Sequence, residues 1–257
     1  MLGLPDQIRA LLFDLDGVLT QTSVVHSAAW KEMFDEFLRT HAAQTRTPFV
    51  PFDAQADNEE YVDGRSRDDG TRTFLASRGI TLPDGGPDDP PGTVTILSLG
   101  ARKNDLVHQI IERDGVAAYP GSLRYLEAVR AAGLPRAVVS SSANAHLVMK
   151  AAKVAEYFDT VIDGEFITEH RLPGKPAPDA FLAGARALGV DAARAVVFED
   201  ALAGVAAGRA GSFGFVVGVD RVDQAAALKE HGADIVVEDL AELLDTDGSG
   251  ARKGGPA

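Results

Sequence analysis

The chain has 257 residues, 45 % of them apolar, enough for one large domain or a domain carrying a smaller one. Its formal net charge of -13 argues against nucleic acid or an anionic membrane as partner, and an anionic substrate would need a local positive site. There is no cysteine, which excludes disulfides and thiol chemistry. No apolar run is long enough to span a bilayer, and residues 1–9 lack the basic-then-apolar pattern of a signal peptide, so a soluble cytoplasmic protein is expected.

The first element is the apolar run Ala10-Leu11-Leu12-Phe13, which leads into Asp14-Leu15-Asp16-Gly17. It predicts a buried parallel strand with chemistry at its carboxyl end. Strand alternation sends Asp14 and Asp16 to the same side. Two carboxylates that close call for a divalent metal, a protonated carboxyl, or both. A helix follows, with Trp30, Met33, Phe34, Phe37 and Leu38 at helical spacing. Residues 40–58 carry no clear pattern. Residues 62–78 and 103–113 read as helices, separated by a Pro/Gly-rich loop over 83–92.

From Gly115 onward, short strands alternate with helices. Strands are predicted at 137–140, 160–162, 195–198, 213–217 and 235–237. Helices are marked by Leu123, Leu126 and Val129, by 144–153, by Phe181, Leu182, Ala185 and Leu188, and by 201–210. This alternation predicts an α/β fold, a doubly wound parallel sheet with right-handed crossovers, which the first strand joins. The expected organisation is a core of residues 1–21 and 115–246, an inserted helical domain of 22–114, and a Gly-rich disordered tail of 247–257.

Four strand ends carry polar residues able to converge: Asp14 and Asp16, Ser140-Ser141-Ser142, Lys175 within Gly174-Lys175-Pro176, and Glu199-Asp200. Each alone has an ordinary explanation. A serine run caps a helix, a lysine before proline sits in a solvated turn, and acidic residues favour a helix N-terminus. Together, in this order on alternating strands, they point to one active site.

On these motifs the chain resembles the haloacid dehalogenase-like (HAD) phosphotransferase superfamily over nearly its whole length. The inserted helical segment sits where that family carries its cap. The resemblance implies a Rossmann-like core with Asp14 as the nucleophile that forms an aspartyl phosphate. It makes Asp16 the general acid and base, meeting the metal through its backbone carbonyl rather than its carboxylate. Asp14, Asp16, Glu199 and Asp200 would then hold one Mg²⁺, and Ser140 and Lys175 would bind the phosphoryl oxygens. Metal and lysine would supply the local positive site.

Within that superfamily, further segments resemble the β-phosphoglucomutase branch: His26 with Ala29-Trp30-Lys31, Asp63-Gly64-Arg65-Ser66-Arg67, Arg102-Lys103-Asn104-Asp105 and Tyr119-Pro120-Gly121. By that resemblance Arg67 grips the non-reacting phosphate, Ser142 and Asn144 reach it from the core, and Lys103 contacts the sugar bisphosphate. His26 lies near the acid/base, and Gly64 and Trp30 complete the substrate-binding set. Ordinary roles compete: Trp30 fits a cap-core stripe, His26 a structural position, and Arg67 a solvated charge beside Arg65 and Arg72. Two positions depart from the pattern, with Asp63 and Ala143 where relatives often carry lysine.

The reaction implied interconverts β-D-glucose 1-phosphate and glucose 6-phosphate through an aspartyl phosphate, with β-glucose 1,6-bisphosphate as activator and intermediate. The expected partner is a small phosphorylated sugar, with no nucleic acid or membrane, and the expected state is a monomer. The core motifs serve a Mg²⁺-dependent sugar-phosphate phosphatase equally well. A non-catalytic phosphosugar sensor would tolerate loss of Asp14, Asp16, Lys175 or Asp200, and all four are present.

Overall fold

A computed structural model describes residues 2–63, 65–86, 88–90 and 92–244. The tail expected at 247–257 lies outside the described residues, as does Gly64. Among the described residues, six strands form one parallel sheet. They are β1 (Ala10–Phe13), β2 (Arg136–Val139), β3 (Thr160–Ile162), β4 (Ala195–Glu199), β5 (Phe215–Val219) and β6 (Ile235–Val237), in the order β3-β2-β1-β4-β5-β6. β1 is buried throughout, and its alternation serves two cores. Leu11 and Phe13 pack into one hydrophobic cluster, Ala10 and Leu12 into the other. A sheet covered on both faces explains why the run is apolar without interruption. The strand order reverses at β1, so the crevice beyond its carboxyl end is where a ligand fits.

Between β1 and β2 the chain inserts a helical unit of α1 (Ser23–Thr45), a π-helical turn (Asn58–Val62), α2 (Arg67–Ser77) and α3 (Ile96–Asp114). An aromatic cluster holds it together. Phe34 stacks on Trp30 at 5.1 Å and on Phe52 at 5.2 Å, and lies 4.2 Å from Phe74 between ring centroids. The unpatterned segment 40–58 is thereby explained. α1 runs on to Thr45, Arg46 ends it in the left-handed region, and the chain returns to bury Phe52. The return is tied by backbone: Phe52 N–H donates to Asp35 Oδ1 at 2.8 Å, and Lys31 Nζ donates to Phe52 O at 2.9 Å.

Two helix starts differ from the sequence expectation. α2 begins at Arg67 rather than at 62, because Ser66 caps it by accepting from Asp69 N–H, while Val62 closes the π-helical turn. α3 begins at Ile96 rather than 103, because Thr95 and Ser98 form a reciprocal capping box.

The remaining helices are α4 (Pro120–Ala131), α5 (Ala145–Ala151), α6 (Gly164–Glu169), α7 (Asp179–Ala187), α8 (Leu202–Ala210) and α9 (Ala225–Glu230). α6 and α9 were not expected, each being only six residues long, too short for a periodic signal. The two connections to the helical unit run side by side. Gln21 N–H donates to Ala117 O at 2.9 Å, and Tyr119 N–H to Leu19 O at 3.0 Å. Among the described residues no helix is long and apolar enough to cross a membrane.

Candidate active site

The site is built on the register of β1 with β4. Phe13 pairs with Phe198 and stacks on it at 4.3 Å, and Asp14 N–H donates to Phe198 O at 2.9 Å. Both strands therefore end level, which sets Asp14 beside Glu199. Lys175 arrives from the loop before α7 and donates to Asp14 Oδ1 at 2.5 Å, to Glu199 Oε1 at 2.6 Å and to Val139 O at 3.3 Å. It is 3 % exposed, so the solvated turn that a lysine before proline ordinarily forms does not describe it. Glu199 Oε2 accepts from Ala201 N–H at 2.9 Å.

Asp200 completes the cluster. Asp14, Glu199 and Asp200 each offer a carboxylate oxygen within 4.8 Å of the others. The close approach depends on Gly17, at φ +84°, where a Cβ would stand 1.6 Å from Asp200 Oδ2. Burial raises Asp14 from an ordinary 3.8 to about 6 against the pull of Lys175, and raises Glu199 from 4.5 to about 7. Asp200 is raised well above 3.8 by burial and then by the Asp63 and Glu199 carboxylates. Burial pulls Lys175 down, but Asp14 and Glu199 outweigh it and the net shift is upward. Three buried carboxylates face one ammonium. Their all-oxygen donor set, and the space that Gly17 leaves beside Asp200, fit a hard divalent cation.

Asp16 faces the same cavity as Asp14 but stands outside the three-carboxylate group. Its Oδ1 accepts from Thr22 Oγ1, and Thr22 pairs with Thr20 at 2.8 Å. His26 Nε2 lies 3.7 Å from the same oxygen and has no hydrogen-bond partner although it is buried. On its other side, His26 Nδ1 is 2.8 Å from Lys103 Nζ. Burial, followed by the Lys103 charge, holds His26 well below 6.5. A neutral ring that accepts from Lys103 at Nδ1 carries its proton on Nε2, facing Asp16. Lys103 is itself buried, lies 4.8 Å from the centroid of the Trp30 ring, and is lowered by burial to about 7. Burial also raises Asp16.

The cavity over these groups is shared by core and insertion. Asp14, Asp16, Ser140, Ser142 and Asn144 line it from the core. His26, Trp30, Arg67 and Lys103 line it from the helical unit. Ser140 is buried and accepts from Ser142 N–H at 3.1 Å. Arg67 Nε is buried without a hydrogen-bond partner. Trp30 is 5 % exposed, belongs to the aromatic cluster and also lines the cavity. Asn144 is already engaged. Its Oδ1 pairs with His108 Nε2 at 2.8 Å and its Nδ2 donates to Asn104 Oδ1 at 2.7 Å. Gly64 lies outside the described residues. Sequence reading missed Thr22, Asn104 and His108 as site groups. Asn104 lies inside the Arg102–Asp105 segment, whereas nothing local marks His108.

The family model described as "haloacid dehalogenase-like hydrolase" matches residues 8–211. A protein of Mycobacterium tuberculosis named "Beta-phosphoglucomutase" is 55 % identical over 247 residues, covering 95 % of this chain and 94 % of the relative. A protein of the same name from Bacillus subtilis is 28 % identical over 240 residues, covering 92 % of each. Among solved structures, β-phosphoglucomutase from Clostridium difficile superposes with a TM-score of 0.71 at 25 % identity, covering 92 % of this chain and 93 % of that one. The chain belongs to the haloacid dehalogenase-like hydrolase family.

Proposed function

We propose that this chain is a phosphosugar mutase interconverting β-D-glucose 1-phosphate and glucose 6-phosphate. The observation that carries the reading is Arg67, which lines the same cavity as Asp14 and whose Nε is buried without a hydrogen-bond partner. A buried guanidinium nitrogen left without an acceptor calls for an anion. A phosphatase needs one phosphate site; an Arg67 site separate from Asp14 supplies a second. The name shared by the close relative from M. tuberculosis supports the same reaction.

Asp14, as aspartyl phosphate, gives its phosphoryl group to the 6-hydroxyl of β-glucose 1-phosphate. Asp16 takes the hydroxyl proton, and β-glucose 1,6-bisphosphate forms. The bisphosphate turns over, so that the group gripped by Arg67 and the group facing Asp14 exchange places. Asp14 then attacks the phosphorus on O1, the O1–P bond breaks, and Asp16 returns its proton to O1, which leaves glucose 6-phosphate. Burial keeps the Asp16 carboxyl above its ordinary range, which suits a group that must both take and give a proton. On this reading Ser140, which lines the cavity, donates to the transferring oxygens, and Lys175 acts through the positive charge it holds beside Asp14. Asp14, Asp200, Glu199 and the Asp16 carbonyl would hold Mg²⁺, which offsets the negative charge of nucleophile and phosphoryl group.

We take residues 22–114 as a cap over a core of residues 1–21 and 115–246, acting in the cytoplasm as a monomer on a small phosphorylated sugar. The test supplies Mg²⁺, β-glucose 1-phosphate and a trace of β-glucose 1,6-bisphosphate, and follows glucose 6-phosphate and free phosphate together. Glucose 6-phosphate without matching phosphate release is expected. Phosphate release without the isomer would make the chain a sugar-phosphate phosphatase. Arg67→Ala should lower the bisphosphate-dependent turnover, and an unchanged rate would overturn the reading.

A further inference from the structure

β5 ends in a turn that touches both loops carrying the acidic cluster. Asp220 Oδ1 accepts from Val222 N–H at 3.2 Å and Gln224 N–H at 2.9 Å, which folds residues 220–224 back on themselves. From this turn Arg221 reaches the segment after Asp16, where its Nε donates to Gly17 O at 2.8 Å and its Nη2 lies 3.5 Å from Val18 O. Its Nη1 donates to Glu238 O at 2.6 Å, just past β6, and its guanidinium lies 3.6 Å from the centroid of the Tyr119 ring. Gln224 reaches the other way, and its Nε2 donates to Asp200 O at 2.9 Å. Neither side chain lines the cavity that Asp14 shares with Arg67.

These contacts fall on the tightest approach in the site. Gly17 is the residue whose missing Cβ admits Asp200 Oδ2, and Arg221 holds the Gly17 carbonyl while Gln224 holds the Asp200 carbonyl. The two loops come from strands far apart in sequence, and the 220–224 turn bridges them. A planar guanidinium suits this, since several rigid donors act at once while the face stacks on an aromatic ring. Tyr119, beneath it, donates its N–H to Leu19 O where the two connections to the helical unit run side by side.

We propose that Arg221 and Gln224 are positioning residues that strap the Gly17 loop to the Asp200 loop, setting the spacing of the acidic cluster for its cation. The proposal rests on the mutase reading only for its turnover readout. Mg²⁺ affinity, measured by calorimetry without sugar, is its direct test in Arg221→Met, Arg221→Lys and Gln224→Leu. Arg221→Met and Gln224→Leu should each weaken Mg²⁺ binding by about tenfold or more, the scale at which groups behind metal ligands act. In the glucose 6-phosphate assay at saturating Mg²⁺, kcat should fall while KM stays within about twofold, because neither residue meets the substrate. Arg221→Lys, which keeps a donor and the charge, should recover part of both losses.

Wild-type Mg²⁺ affinity and kcat in Arg221→Met and Gln224→Leu would overturn the strap and leave the mutase reading intact. So would losses that follow only a fall in Tm, with Arg221→Lys no better than Arg221→Met. A wild-type protein that binds Mg²⁺ but forms no glucose 6-phosphate would defeat the mutase reading alone, and the titration would still decide the strap.

Discussion

Lys175 Nζ stands 2.5 Å from Asp14 Oδ1 across 161 residues of sequence, and both groups are buried. The same ammonium also holds Glu199, so one positive charge serves two carboxylates. Lys175→Met would leave both without a partner, and breaking a buried ion pair on one side costs about 3–5 kcal/mol. Urea denaturation without Mg²⁺ at pH 7.5 and pH 5 checks this. The deficit should be smaller at pH 5, where protonation neutralises the stranded carboxylates; an equal deficit at both would contradict the account.

The cluster also sets the pH dependence of the metal-free protein. Asp14 and Glu199 are raised to about 6 and about 7 in the fold, from 3.8 and 4.5. Between those limits the folded state binds protons that the unfolded chain has released, so stability falls as pH rises from about 4 to about 7. Asp16 and Asp200 shift the same way, while His26, lowered well below 6.5, opposes them. With chelator present, Tm is expected to be higher near pH 5 than near pH 7.5. Mg²⁺ should reverse that order by giving the ionised carboxylates a partner. A metal-free Tm that climbs over this range would count against it.

Phe52 is the anchor of the 40–58 segment, buried against Phe34 and Phe74. Phe52→Ala should cost about 3–5 kcal/mol, the usual range for an aromatic removed from a core. Trp30 is the single tryptophan and stacks on Phe34, so its fluorescence reports on this cluster. A red shift at lower urea than in the wild type is expected. An unchanged midpoint would show that the aromatic cluster does not depend on Phe52.

Asn144 joins core to insertion through His108 and Asn104. His108→Ala removes one of these bonds, worth about 0.5–1.5 kcal/mol. On the proposed mutase reading, a helical unit held less firmly admits water to the aspartyl phosphate. The ratio of free phosphate to glucose 6-phosphate should rise by about twofold to tenfold, on the same scale of lost bonding. An unchanged ratio would mean that this bond has no part in closure.

What lay open in the sequence is what local pattern encodes. The apolar run before Asp14, the strand–helix alternation after Gly115 and the order of the four polar motifs give the sheet and its carboxyl-end chemistry, although Lys175 stands in the loop before α7 and not at the strand end expected for it. Burial imposes periods of two and 3.6 on any chain that folds this way. Where backbone caps rather than apolar spacing set an element, the pattern fell short: α3 starts at the Thr95–Ser98 box, seven residues ahead of its expected start, and α6 and α9 are too short to show a period. The partners of polar side chains were decided only by the tertiary structure. Lys175 reads locally as a turn residue and Phe52 as part of an unpatterned stretch, and no local pattern singles out Arg221. Each acquires its role from a residue brought near by tertiary packing: Asp14 and Gly17 through the sheet, Phe34 through the return of the chain onto α1. A sequence shows which faces must be buried, because that requirement repeats along the chain. It does not show which buried donor meets which acceptor, because those contacts span tens to hundreds of residues and are made only when the sheet assembles.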